Sequence, residues 1–123
     1  AHKALLTETK TLIETLTQTL SLYVQDPASH SLQALPEYLK ELSGAALFLG
    51  SSAQQTALLT AANFAQNRLN QNLALDAEQV NCILNVVAGL DLLVDNLKNK
   101  QPVLQSMFDV ALSSSQQLQN IAA

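Results

Sequence analysis

The sequence predicts an all-α fold, an up-and-down antiparallel four-helix bundle made from about five helices, on the basis of three observations. Hydrophobic residues make up 48% of the 123 residues and recur at helical spacing. Only three glycines and three prolines interrupt them. Aromatic residues are 4% of the chain, which disfavours a sheet built from aromatic and β-branched side chains. Because this length suits one hydrophobic core, we assign residues 1–123 to a single domain.

The first two helices are predicted from apolar stripes on either side of a proline. The first stripe covers residues 5–23 and ends before Asp26-Pro27, because proline cannot continue a helix. We expect this aspartate to cap the second helix and this proline to occupy its first position. The second stripe covers residues 32–49 and contains Pro36, where we expect a kink or a new helix start.

Capping residues predict the remaining helices. Gly50-Ser51-Ser52 is expected to end the second helix and cap the third, which covers about residues 53–69. Asp76 is expected to cap a fourth helix, and Lys98 complements the dipole at its C-terminus. Pro102 is expected to open a fifth helix. The fourth helix has the clearest amphipathic stripe, which comprises Val80, Ile83, Val87, Leu90, Val94 and Leu97.

Charge is scarce and argues against two classes of partner. Charged residues are 13% of the chain, about half the ~25% typical of soluble domains, and the net charge is −4. The six cations are scattered, so we expect neither nucleic acid nor an anionic membrane surface as a partner. No apolar run approaches the ~18 residues that cross a bilayer, and no signal-peptide pattern opens the chain. We therefore expect no membrane insertion and a cytoplasmic location, with the oligomeric state left open.

No residue pattern indicates catalysis. Cys82 lies in the apolar run VNCILNVV and is interpreted as a buried hydrophobe in a reducing compartment. One cysteine together with His2 and His30 cannot supply a metal-ligand set. Asp91 and Asp95 lie one helical turn apart and are interpreted as a solvated face. We expect no catalytic residue, no metal and no cofactor, and we interpret the protein as a non-enzyme.

The run LPEYLKELSGAALFLG at residues 35–50 resembles the central helix of a histidine phosphotransfer (Hpt) domain. The Hpt frame H-x-L-K-G-S-A-x-x-x-G lies over residues 40–50, and Gly44 and Gly50 occupy its two glycine positions. Lys40 stands at the histidine and Ser43 at the lysine. A protonated lysine has no lone pair with which to accept phosphate. Leu42 and Ala46 also fit the frame, although Ala45 replaces its serine. The two reactive positions do not fit, whereas the retained positions serve packing and access.

The helix order and the YLKELSGAALFLG core are similar to those of Hpt-like domains in the chemotaxis-like system that governs type IV pili. That group includes FimL and the N-terminal Hpt-like region of the pilus kinase ChpA/PilL. The resemblance implies a non-catalytic interaction module in bacterial signalling that regulates type IV pili and twitching motility. Its partner would be a receiver domain or a polar scaffold protein. The predicted partner-binding residues share one side of the helix, and they are Glu37, Lys40, Ser43, Gly44 and Leu47.

Two alternatives remain open from the residues alone. One is a phosphotransfer protein that uses His30, although neither lysine nor glycine follows it at three and four residues. The other is a purely structural bundle, such as a segment of a rod or granule coat, in which Gly44 marks a close helix crossing. A short match between the segments that begin at Gly44 and Gly89 is interpreted as chance. Because the sequence lacks an initial Met and stops inside a helical pattern, we expect it to be a piece of a larger protein.

Overall fold

The computed structural model describes residues 2–122, and within them it contains helices and no strand. About 80% of the chain is helical, which confirms the predicted all-α class. The five α-helices of this range are α1 (His2–Gln25), α2 (Leu35–Phe48), α3 (Ser52–Asn70), α4 (Ala77–Lys98) and α5 (Asp109–Ala122). A short 3-10 helix, Gln105–Phe108, leads directly into α5. The side chain of His2 lies outside the described part.

The helices α1 and α4 run in opposite directions. Lys10 near the start of α1 contacts Asp91 near the end of α4, whereas the Tyr23 hydroxyl near the end of α1 accepts a hydrogen bond from the Leu75 amide just before α4. These two helices are therefore antiparallel neighbours. Around the bundle α1 packs on α2 and α4, α3 lies between α2 and α5, and α5 packs on α4.

The inward stripes of all five helices meet in one core. Its fully buried large residues include Leu16, Leu20, Leu39, Leu42, Leu58, Ile83, Leu90 and Leu118. Each such side chain contributes roughly 1.5–3 kcal/mol when it leaves water. The stripe predicted for α4 is buried from Val80 to Val94, and its last member, Leu97, packs against the core while partly exposed.

The hairpin between α2 and α3 forms as the sequence predicts. Gly50 has a φ of +98°, a left-handed conformation that glycine adopts without a Cβ clash. The Ser51 hydroxyl accepts a 3.1 Å hydrogen bond from the Gln54 amide and caps α3. This tight connection holds α2 against α3 with the start of one helix beside the end of the other.

The predicted start of the second helix at Asp26-Pro27 is wrong, whereas a new start at Pro36 is confirmed. Residues 26–34 form turns, and α2 begins at Leu35 with Pro36 in its first turn. Pro36 has no N–H, so a helix begun at Pro27 would lose a bond there and be too short to stand alone. Instead Leu32 turns inward, where it is 7% exposed, and covers the end of the core.

The predicted opening of the fifth helix at Pro102 is also wrong. The Pro102 carbonyl accepts a 2.8 Å hydrogen bond from the Asn96 side chain, which ties the segment after α4 back to that helix. Residues 101–104 are irregular, and Leu104 is 59% exposed. The helical turn begins only at Gln105, from which Phe108 reaches the core.

One helix of the described chain, α4, is long and apolar enough to cross a membrane by length and composition alone. Its most apolar 18-residue window has a mean hydropathy of 1.5, and half of that window is buried inside the bundle. A core helix of a helical domain has the same properties, because it also needs a long apolar stripe. In this fold α4 serves as that core helix, with contacts to α1, α3 and α5.

Candidate partner-binding surface

The buried stripe of α2 determines which side of the helix faces solvent. Leu35, Leu39, Leu42 and Ala46 are each at most 1% exposed. Their spacing of three and four residues places them on a single side, against the core. The opposite side of α2 is therefore fixed towards solvent.

Four of the five predicted partner-binding residues lie on this outer side. Glu37, Lys40, Gly44 and Leu47 are exposed, and Leu47 is 52% exposed. They follow one another at intervals of three and four residues, so they form a continuous strip along the helix. We call these four residues the α2 surface.

The fifth predicted residue, Ser43, does not belong to this exposed strip. Its side chain is 5% exposed, and its hydroxyl donates a 2.6 Å hydrogen bond to the Lys40 carbonyl. Ser43 follows Leu39 by four residues, so it sits on the edge of the buried stripe. The Ser43 hydroxyl therefore bonds to the helix backbone and does not face solvent.

The two mid-helix glycines lie in opposite environments. Apart from the adjacent residues and the backbone of α2 itself, a Cβ built on Gly44 would have no atom within 4 Å, so the outer face of α2 is open there. A Cβ on Gly89 would clash with Gln54 Oε1 and lie 2.8 Å from the Ala111 Cβ. Gly89 therefore marks a close crossing of α4 with α3 and α5, whereas Gly44 does not mark a crossing. The short sequence match at the two glycines has no structural counterpart.

Sequence analysis missed two exposed residues beside the α2 surface. Phe48, at the end of α2, is 65% exposed, and Glu41 is exposed one turn after Glu37. Phe48 follows Gly44 by four residues, and Glu41 follows Glu37 by four residues. That spacing was the available signal. With them the surface combines an apolar end with a mixed-charge middle.

A groove of about 400 Å³ runs between α1 and α2 beside this surface. Glu41 forms its α2 wall, and a threonine row on α1 forms much of the other. The hydroxyls of Thr7, Thr11 and Thr15 each donate to the carbonyl four residues earlier. This groove therefore lies beside the α2 surface, at Glu41, and the surface is not concave at Gly44 itself.

The sequence of the chain matches one known protein family. Residues 1–115 match the model of the FimL C-terminal domain. The chain belongs to this family. Membership confirms the predicted resemblance to FimL and indicates a role related to type IV pilus signalling. No curated protein and no solved structure matches the chain.

In this FimL C-terminal domain, Lys40 and Lys10 differ in their surroundings. No carboxylate in residues 2–122 forms an ion pair with Lys40. Lys10 lies 2.6 Å from Asp91 and 3.3 Å from Asp95, and the hydrogen bond to Asp91 raises its pKa. The two aspartates, interpreted from sequence as a solvated face, thus join α4 to α1. The Lys40 ammonium remains available to a partner.

The histidine and the cysteine that sequence analysis weighed as reactive residues lie apart from the α2 surface. His30 is half-buried in the irregular segment before α2 and is not on a helix. Cys82 is buried, its Sγ donates to Gln117 Oε1 at 3.1 Å, and burial raises the pKa of the thiol. The described part of this FimL C-terminal domain holds no group of three potential metal ligands. His30 and Cys82 therefore lie outside α2.

Proposed function

We propose that this domain is a non-catalytic, Hpt-like interaction module that binds a signalling protein through the α2 surface and thereby regulates type IV pili. The observation that carries the proposal is the open face at Gly44, where a side chain would meet no atom within 4 Å. A mid-helix glycine costs about 1 kcal/mol relative to alanine. Since no internal packing requires it here, access for a partner is the reason that remains.

The chemistry of α2 supports binding without phosphate transfer. Lys40 stands one turn before Gly44, where the Hpt frame has its histidine, and an ammonium group cannot accept a phosphoryl group. The Ser43 hydroxyl is engaged by the helix backbone. A lysine at this position would instead pair with a carboxylate of the docked protein.

The composition of the surface fits a protein partner. Lys40 lies between Glu37 and Glu41, and Leu47 and Phe48 offer exposed apolar area at one end. Interfaces commonly combine aromatic or aliphatic anchors with a charged rim. Our first candidate partner is a receiver domain in the cytoplasm, and the second is a polar scaffold protein.

The binding test uses Gly44→Arg, which fills the open face. We expect its urea midpoint to equal or exceed that of the wild type, because arginine favours a helix more than glycine does, and its affinity for the receiver domain to fall at least about tenfold, or ~1.4 kcal/mol. Ala88→Arg, at an exposed position of α4, adds the same charge elsewhere and should bind normally. If Gly44→Arg binds normally, the surface is elsewhere; if it changes only self-association, the domain is a structural bundle.

The phosphate test exposes the domain to a phosphorylated receiver. We expect no acid-labile phosphate on the domain, because Lys40 replaces the acceptor. His30→Ala serves as the matched variant, since His30 is the remaining histidine whose side chain is described. Phosphate that appears on the wild type and disappears in this variant would make the protein a rerouted phosphotransfer domain.

A further inference from the structure

A second site lies at one end of the bundle, away from the middle of α2. There, a half-enclosed pocket of about 200 Å³ opens where α1 and α3 end and α2 begins. Its inner wall is apolar and buried, with Leu32, Leu35 and Leu75 each at most 8% exposed. Gln33 and Leu73 lie at its exposed rim. The pocket is therefore a small apolar cavity with access to solvent.

The wall of this pocket is held by hydrogen bonds and is not a loose gap between loops. The Tyr23 hydroxyl accepts a 3.1 Å bond from the Leu75 amide and joins the end of α1 to the segment before α4. The Leu73 amide donates to the Arg68 carbonyl at 2.8 Å and closes the end of α3. These contacts fix the segment between α3 and α4 that forms one side of the cavity.

The side chain of Arg68 lines the cavity, and one of its donor atoms has no hydrogen-bond partner. Arg68 donates from Nη2 to the Ala74 carbonyl at 2.7 Å, and its guanidinium lies 6.0 Å from the centre of the Phe64 ring. Its Nε is buried without a hydrogen-bond acceptor, and no carboxylate of residues 2–122 pairs with the group. An arginine cannot lose its charge, so a buried donor left unsatisfied is costly.

We infer that this pocket binds a small monocarboxylate whose apolar part is about the size of a benzene ring. A cavity of about 150 Å³ lined by apolar side chains accommodates benzene, and this pocket is slightly larger at about 200 Å³. The carboxylate accepts from the guanidinium, whose planar donors match its two oxygens. The ring then packs against the leucine wall. This inference does not depend on the proposed function of the α2 surface.

The lining favours a monocarboxylate over a phosphate. Arg68 is the one cation among the residues that line the pocket, and the other polar side chains there are the uncharged Tyr23, Ser31 and Gln33. A phosphate dianion needs several donors to replace its water, whereas one guanidinium can satisfy a carboxylate. The apolar wall contributes to affinity only when the anion carries a hydrophobic group.

The test is a titration of the full chain with phenylacetate, followed by amide chemical shifts in ¹H–¹⁵N spectra. We expect shifts confined to the pocket, at residues such as Leu35, Arg68 and Leu75, with a Kd of about 1 mM or tighter. Phenylacetamide, which has the same ring without the charge, should bind at least about tenfold more weakly. Equal binding of the acid and the amide, or no shifts at these residues, would overturn the inference.

Two variants test separately how the arginine charge and the volume of the cavity contribute to binding. Arg68→Gln should weaken phenylacetate binding about tenfold and leave phenylacetamide unchanged. Ala65→Leu keeps the arginine but adds carbon at the wall of the cavity, and it should abolish binding of both probes. Lys3→Gln, an exposed change near the opposite end of α1, is the matched charge control and should bind as the wild type does. Retained binding in Ala65→Leu would place the ligand elsewhere.

Discussion

At the scale of single residues, the two mid-helix glycines should respond in opposite ways to the same substitution. Gly44→Ala adds a methyl group where no atom lies within 4 Å, so it should raise the free energy of unfolding by ~0.5–1 kcal/mol through helix propensity. Gly89→Ala places a methyl group against Gln54 and Ala111 and should lower it by ~1–3 kcal/mol. Urea unfolding followed by circular dichroism measures both values.

Each glycine variant is the control for the other, because the chemical change is identical. A loss of stability in Gly44→Ala would mean that the outer side of α2 is packed and not open to a partner. Tolerance of Gly89→Ala would mean that α5 can move away from α4 at little cost. Either result would remove the contrast on which the interpretation of the α2 surface rests.

A second residue-scale prediction concerns pH and the ion pair of Lys10. The pKa of Lys10 is raised from its ordinary 10.5, so its contribution to stability is complete below 10.5 and disappears as pH rises through the folded-state pKa. Lys10→Gln should therefore cost ~0.5–1 kcal/mol at pH 7, the value of a partly exposed pair, and progressively less at a pH above 10.5. Urea midpoints at both pH values test this.

The matched control for Lys10 is Lys3→Gln on the same helix. Lys3 is exposed, and no ion pair joins it to another part of the described chain. Its loss should change the midpoint by less than ~0.5 kcal/mol at either pH. Equal effects of the two variants would show that the contact between α1 and α4 contributes nothing specific.

At the scale of helices, two aspartates that look alike in sequence should differ in their effects. Asp76 accepts a 2.8 Å bond from the Gln79 amide, and the Gln79 side chain accepts from the Asp76 amide, which completes a capping box. Asp76→Ala should lower the unfolding free energy by ~1 kcal/mol. Asp26→Ala removes no cap, since no helix starts there, and should cost less than ~0.5 kcal/mol. Comparable losses in thermal or urea unfolding would contradict the assignment.

These two aspartates also show how far the sequence can predict where helices begin. Caps at Ser51 and Asp76 were predictable because a polar cap is followed at once by an apolar stripe. The same local signal at Asp26-Pro27 is misleading, since Pro36 interrupts the following helix and tertiary burial of Leu32 fixes the turn instead. At Pro102 the deciding contact comes from Asn96 of the preceding helix. Such contacts are invisible in a local pattern.

For the candidate site, the period of the α2 stripe predicts its outward strip. It could not predict that Ser43 would turn its hydroxyl to the backbone, or that Phe48 would remain exposed at the helix end. Both outcomes depend on where α1 and α3 pack against α2. The pocket at Arg68 depends on three separated segments and has no local signature.

At the scale of the whole molecule, the folded unit extends past the end of the family match. The match covers residues 1–115 and stops within α5, yet Leu118 is fully buried and the Gln117 side chain accepts from Cys82 Sγ. α5 also packs against both α3 and α4. The last turns of α5 are therefore part of the same core as Leu90 of α4. Their removal should affect the whole bundle.

Truncation after Ser115 should lower the free energy of unfolding by at least ~2–5 kcal/mol, the usual cost of deleting one buried leucine. It should also expose Cys82, which we expect to react slowly with thiol reagents in the intact chain because it is buried and burial raises its pKa. Truncation after Asn120 is the control, since it keeps Leu118 and removes Ile121, which is 45% exposed. Urea unfolding and the rate of thiol labelling measure the two effects. A chain ending at Ser115 that unfolds like the wild type, with an equally slow thiol, would show that α5 is an appendage and that the core closes without it.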